Sequence, residues 1–164
     1  MLFAGFTSGY IVSRGAGNWL QFNLPQSLYI STAIILASSI TMFIAQRAIK
    51  QNNLNLVKTG LTLSLMTAIV FSFSQFKAWN DLVDMGIVFA GSKSNAAGSY
   101  LYILTGLHLL HLFGGIIALI ITFVKTILEK YSATNSLGIE MCAIYWHFLT
   151  ILWVYLLLFL HFIR

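Results

Sequence analysis

The chain has 164 residues, of which 59% are hydrophobic and 8% are charged. A water-soluble domain carries about 25% charged residues, so this chain has too few charges to cover a globule in water. Its formal net charge is +5, but the basic residues lie mostly between apolar runs. That pattern is typical of membrane topology signals and argues against a nucleic-acid-binding surface. The composition predicts an integral membrane protein.

The first apolar run, residues 1–13, is too short to cross a membrane. At about 1.5 Å per residue it rises roughly 18 Å, against a hydrocarbon core of about 30 Å. We expect it to be the second half of a helix that begins upstream of Met1.

Four later runs are long enough to cross, because a transmembrane helix needs roughly 20 mostly apolar residues. No internal repeat and no separate soluble segment is visible. The predicted fold is therefore all-α, a multi-pass transmembrane bundle of five helices with the first truncated, forming one domain over residues 1–164. The four full spans are predicted at residues 27–46, 57–79, 99–125 and 138–162.

The basic residues of the loops predict an orientation. With five passes, the second and fourth loops share a side and hold five basic residues, three of them in the short second loop, where the positive-inside rule is most reliable. The other side holds four basic residues together with Asp81 and Asp84. We expect the amino terminus to be cytoplasmic and the carboxyl terminus outside, in a bacterial inner membrane. The two basic sets are Arg47, Lys50, Lys58, Lys125 and Lys130 against Arg14, Lys77, Lys93 and Arg164.

Five histidine and glutamate residues fall within the predicted spans, where ionisable residues are candidate functional sites. They are His108, His111, Glu140, His147 and His161. One hypothesis is a haem or metal site, with His108 or His111 on one helix and His147 on the next as ligands. A proton relay is a weaker hypothesis, because Glu140 is the only acid within a span.

The alternative hypothesis is structural: these side chains form interhelical hydrogen bonds, worth about 0.6–2 kcal/mol each in membranes. Gly106, Gly114 and Gly115 flank the histidines and would let a neighbouring helix approach closely. We favour this reading, in which His108 and His111 are neutral and bonded to the adjacent helix.

Aromatic residues near the span ends fit interfacial belts, in which the ring lies at the level of the lipid headgroups. This interpretation applies to Trp19, Trp79, Tyr100, Tyr102 and Trp153.

Two segments resemble the cytochrome oxidase subunit III family. "GSYLYILTGLHLLHLFGG" is similar to that family's segment with the pattern G-S-x-x-(Phe/Tyr)-x-x-T-G-x-H-x-x-H-x-x-x-G. "EMCAIYWHFLTILWVYLLL" is similar to its last helix, where a Glu precedes the His of Y-W-H-F by seven residues and a Trp follows. "FAGFTSGYIV" and "SQFKAWNDL" fit more loosely, as the first helix of the short five-helix members and the end of a later helix.

The resemblance implies a non-catalytic subunit III of a haem–copper terminal oxidase, part of an oxidoreductase complex but without a redox centre of its own. Haem and copper would belong to partner subunits I and II. This chain would pack on subunit I, bind structural phospholipid and support proton uptake and stability. The residues that match the family's motifs would form a polar network (Thr105, His108, His111, Glu140, Tyr145, His147) and lipid or interface contacts (Gly106, Gly114, Gly115, Trp146, Trp153). The alternative function is a haem-carrying membrane cytochrome.

Overall fold

A computed structural model describes residues 2–15, 26–87, 89, 96–132 and 135–163. Within these residues the chain forms five α-helices, which confirms the predicted fold class. They are α1 (Leu2–Arg14), α2 (Gln26–Lys50), α3 (Leu54–Asp84), α4 (Ala96–Ile127) and α5 (Leu137–Ile163). Trp19, which we predicted to be interfacial, lies outside the described residues.

Helices α2 to α5 are each long and apolar enough to cross a membrane. The shortest, α2, has 25 residues and so extends about 38 Å, beyond the hydrocarbon core of about 30 Å. Each helix contains one predicted span and continues past it at both ends. Helix α1 has 13 residues and was predicted as a short run.

The four long helices form a closed ring in which each contacts its two neighbours, in the order α2, α3, α4, α5. Helix α1 lies outside this ring against α4, and Tyr10 also contacts Phe159 of α5 edge to face, with ring centroids 5.2 Å apart. A short turn joins α2 to α3, and the side chain of Asn53 caps α3 by accepting a hydrogen bond from the backbone N–H of Leu56 at 3.2 Å. This cap is the usual signal for a helix start.

Helices α2 and α3 make the most extensive contact in the bundle, because small residues line both. A Cβ atom built on Gly60 would lie 2.8 Å from the Cβ of Ala45 and 3.1 Å from the carbonyl oxygen of Thr41. Only glycine fits at that distance, as at other close helix crossings in membranes. The hydroxyls of Thr41 and Ser64 then meet across the interface at 2.7 Å.

Candidate functional site

Several polar side chains of α5 contact α2 at places spread along both helices. These two helices run antiparallel, and five side-chain pairs join them from one end to the other. We call this set the α2–α5 ladder. Its pairs are Lys50–Glu140 at 3.9 Å, Ser39–His147 at 2.6 Å, Ser38–Trp146 at 3.1 Å, Thr32–Trp153 at 3.0 Å and Tyr29–His161 at 2.9 Å.

Trp146 and Trp153 were predicted to make lipid or interface contacts, and in the structure each contacts helix α2. Their side chains are 1% and 2% exposed, so they lie inside the bundle. Each indole N–H donates to a hydroxyl of α2, Ser38 for Trp146 and Thr32 for Trp153. A tryptophan ring is stable in a buried position when its N–H has a hydrogen-bond acceptor. The hydroxyl oxygens of Ser38 and Thr32 are these acceptors.

His147 and Glu140 take part in the ladder at different depths. The Nδ1 atom of His147 is hydrogen-bonded to the hydroxyl of Ser39. Glu140 lies in the first turn of α5, where a negative side chain also interacts favourably with the helix dipole. Its carboxylate accepts a hydrogen bond from Ser136 at 2.9 Å and pairs with Lys50.

The imidazole of His108 is enclosed by aromatic rings. It is fully buried and lies between Trp153 of α5, at a centroid distance of 4.9 Å, and Phe71 of α3, at 6.0 Å. Neither ring nitrogen has a hydrogen-bond partner among the described residues. Our expectation of a hydrogen bond from His108 to the adjacent helix is therefore not met, because the neighbouring surfaces at this position are aromatic.

His111 points to another part of the bundle. Its Nδ1 atom is 2.8 Å from the carbonyl oxygen of Leu107, one turn earlier in its own helix, and its ring contacts Phe3 of α1 at 5.5 Å. The interhelical bond at this position is made by the backbone instead. The hydroxyl of Tyr145 on α5 donates to the carbonyl of His111 at 3.0 Å.

Thr105 joins α4 to α3. Its hydroxyl accepts from the indole N–H of Trp79 at 3.1 Å and donates to the carbonyl of Leu101 at 2.8 Å. Trp79 was predicted to be an interfacial residue, and this bond directs its polar edge into the bundle. The hydroxyl of Tyr102 likewise donates to the backbone of Ile87, at 2.9 Å.

The three flanking glycines differ in how closely α5 or α3 approaches them. A Cβ on Gly115 would lie 3.0 Å from the Leu149 side chain and 3.2 Å from that of Tyr145. A Cβ on Gly106 or Gly114 would make only ordinary contacts, at 3.9 Å and 3.7 Å. Of these three glycines, Gly115 is thus the one that a neighbouring helix approaches most closely.

Sequence reasoning missed the polar partners on α2 and α3. The amide nitrogen of Gln75, itself 1% exposed, donates to the hydroxyl of buried Ser31 at 2.9 Å. Ser27 donates a hydrogen bond to the carboxylate of Asp81. A signal was present: Ser27, Ser31 and Ser38 are four and seven residues apart, which places three hydroxyls on one face of α2.

The described residues contain no cluster of three or more His, Cys, Asp or Glu side chains that could hold a metal ion. A haem iron would need open space at a ring nitrogen of His108, and both of its ring nitrogens are buried inside the bundle. His147 faces the hydroxyl of Ser39 on α2. The arrangement of these side chains fits helix packing and does not fit a haem held between the two histidines.

Residues 20–163 match the sequence model of the family described as cytochrome c oxidase subunit III. The chain is 30% identical over its whole length to a protein of Nocardia farcinica named probable cytochrome c oxidase subunit 3, and covers 82% of that relative. A protein of Mycobacterium tuberculosis with the same name is 29% identical over the same shares. Cytochrome c oxidase subunit 3 of Anopheles quadrimaculatus is 31% identical over 84% of this chain and 50% of the relative.

Proposed function

The chain belongs to the cytochrome c oxidase subunit III family, whose members are components of a larger oxidase complex, and from this premise we propose that it is the non-catalytic subunit III of a haem–copper terminal oxidase in aerobic respiration. It packs on subunit I in a bacterial inner membrane. Haem and copper are held by the partner subunits, and this chain supports proton uptake and the stability of the complex.

The main support for this proposal is that the motif residues contact neighbouring helices of the same chain. Of the residues that match the family's last helix, Glu140, Trp146, His147 and Trp153 all contact α2. Tyr145 bonds to the backbone of α4. A set of polar residues directed at neighbouring helices of the same chain supports a role in holding a scaffold together.

The proposed orientation has support from one end of the bundle. The turn between α2 and α3 and the segment between α4 and α5 lie at the same end, since Lys58 pairs with Glu129 at 3.7 Å and Lys50 with Glu140. This end carries the five basic residues of the two loops and is proposed to be cytoplasmic. The carboxyl terminus then lies outside.

The test is an affinity tag on this chain in its host, followed by purification in a mild detergent. We expect a large subunit with the spectrum of an oxidase to co-purify, and a strain lacking the chain to lose oxidase activity during turnover while its remaining subunits keep their haem. Purification of the chain without any oxidase subunit, from membranes with intact oxidase activity, would overturn the proposal.

A further inference from the structure

Two polar side chains inside the bundle have hydrogen-bonding atoms without a partner. The carboxamide oxygen of Gln75 on α3 and both ring nitrogens of His108 on α4 are buried, and none of them bonds to any residue that the structure describes. Both residues are fully buried. A buried polar atom without a partner is costly, so nearly all such atoms in proteins are hydrogen-bonded to protein groups or to ordered water.

The contacts between α3 and α4 place Gln75 and His108 at nearly the same depth. Phe71, one turn before Gln75, contacts the ring of His108, with centroids 6.0 Å apart. Trp79, one turn after Gln75, bonds to Thr105, which lies one turn before His108. Because residues four apart share one helix face, Gln75 lies on the face of α3 that meets this turn of α4.

The contacts of α2 and α5 give the same depth independently. The amide nitrogen of Gln75 donates to the hydroxyl of Ser31 on α2 at 2.9 Å. The next residue, Thr32, accepts from the indole N–H of Trp153, and that indole contacts the ring of His108 at 4.9 Å between centroids. Contacts from all four long helices therefore bring Gln75 and His108 to one level of the bundle.

The chemistry of the unpartnered atoms matches that of water. The carboxamide oxygen of Gln75 is an acceptor, whereas a neutral imidazole has one N–H donor and one acceptor nitrogen. A water molecule donates two hydrogen bonds and also accepts, so it can bond to the Gln75 oxygen and to either ring nitrogen of His108. Buried waters in proteins typically make about three hydrogen bonds to groups of this kind.

Polar side chains also connect this level to one end of the bundle, where α2 begins and α3 ends. Asp81 lies at that end and is partly exposed. Its carboxylate accepts a hydrogen bond from Ser27, and Ser31 lies one turn further along α2, about 6 Å deeper. Water at this end of the bundle therefore meets a series of polar groups that leads to Gln75.

We propose that the interior of the four-helix ring is a binding site for internal water, held between the carboxamide oxygen of Gln75 and a ring nitrogen of His108. The aromatic rings of Phe71 and Trp153 hold the imidazole in place, and the water bonds to its edge. The site links α3 to α4 at a level where these two side chains make no direct bond.

The first experiment measures water contact at His108 in the full chain, purified with whatever subunits accompany it and placed in nanodiscs. Magnetisation transfer from water to isotopically labelled histidine is recorded by magic-angle-spinning NMR, and the His108 signals are identified by their absence from His108→Phe. We expect transfer to His108 in the original chain and its loss in Gln75→Leu. Ser72→Ala is the matched control on α3 and should keep the transfer, since Ser72 bonds to its own helix.

The second experiment is a cryo-EM map of the original chain with its accompanying subunits, which needs no variant. We expect water density within about 2.7–3.2 Å of both the Gln75 oxygen and a nitrogen of His108. A direct bond between the two side chains, or no density at either group, would overturn the inference. So would equal transfer in the original chain and Gln75→Leu, no transfer to His108 in the original chain, or an equal loss in Ser72→Ala. Because one hydrogen bond contributes little net stability, both experiments detect the water rather than unfolding.

Discussion

The imidazole of His108 lies against the indole of Trp153, with ring centroids 4.9 Å apart and planes inclined by 39°. The same indole donates its N–H to Thr32 on α2. One tryptophan of α5 thus connects a buried histidine of α4 to a hydroxyl of α2, and Phe71 of α3 completes the contact. Residues from all four long helices meet here, so we expect this cluster to set how the helices pack.

We predict that His108→Phe retains most of the stability of the chain, whereas His108→Leu loses more. Phenylalanine preserves a ring against Trp153 and Phe71, while leucine removes aromatic contacts worth about 0.5–1.5 kcal/mol per pair. The measurement is the midpoint of unfolding by sodium dodecyl sulfate in mixed micelles. A larger loss in His108→Phe than in His108→Leu would mean that the imidazole nitrogens, rather than the ring, are required.

Gly60→Ala is predicted to destabilise the chain by about 1–3 kcal/mol, the usual cost of overpacking. The new methyl group would lie 2.8 Å from Ala45, so α2 and α3 must move apart. Gly5→Ala is the matched control, because a Cβ there has no atom within 4 Å and alanine favours helix by about 1 kcal/mol. The same unfolding assay compares Gly60→Ala with Gly5→Ala. Equal unfolding midpoints for the two variants would contradict the close α2–α3 packing.

The hydrogen bond from Trp146 to Ser38 can be isolated in a double-mutant cycle of Trp146→Phe and Ser38→Ala. We expect a coupling free energy of about 0.6–1.7 kcal/mol, as for other bonds between membrane helices. A parallel cycle pairs Trp146→Phe with Ser72→Ala. Ser72 bonds only to its own helix at Ala68, so the effects should add within about 0.5 kcal/mol. Equal coupling in the two cycles would argue against the bond.

We predict that the folded chain loses stability in alkali because Tyr131 is buried. Its pKa in the folded chain is raised by burial above the ordinary value of 10.0, so the folded state holds this proton more tightly than the unfolded state. The resulting stabilisation is complete below pH 10 and is lost as the pH rises from there through the folded-state pKa. The difference between the unfolding midpoints of the original chain and of Tyr131→Phe should be smaller at pH 11 than at pH 9. A difference independent of pH would contradict this.

The fold class followed from the sequence because length and composition set it. Runs of more than 20 apolar residues must become helices in a membrane, where each backbone N–H and C=O needs an internal partner. The seven-residue spacing of Glu140 and His147 also predicted that they share one face of a helix. It did not predict that this face meets α2, since nothing in the spacing names the neighbour.

Length and composition could not predict whether a tryptophan faces lipid or the inside of the bundle. In a soluble protein an apolar residue points inward, but lipid-facing and buried surfaces of a membrane helix are equally apolar. The sequence therefore left lipid and interface contacts as equal alternatives for Trp146 and Trp153, which the structure buries. Their acceptors, Ser38 and Thr32, drew no attention, because such hydroxyls are commonly satisfied by their own helix, as that of Thr32 is by Leu28.

In the proposed function this chain is a structural subunit, and other subunits carry the redox chemistry. The most direct measurement is the visible spectrum and iron content of each fraction after the tagged oxidase is separated into this chain and the remaining subunits. We expect all haem absorbance to stay with the remaining subunits and the separated chain to have no Soret band. A Soret band that moves with this chain and is lost in His108→Phe would contradict it.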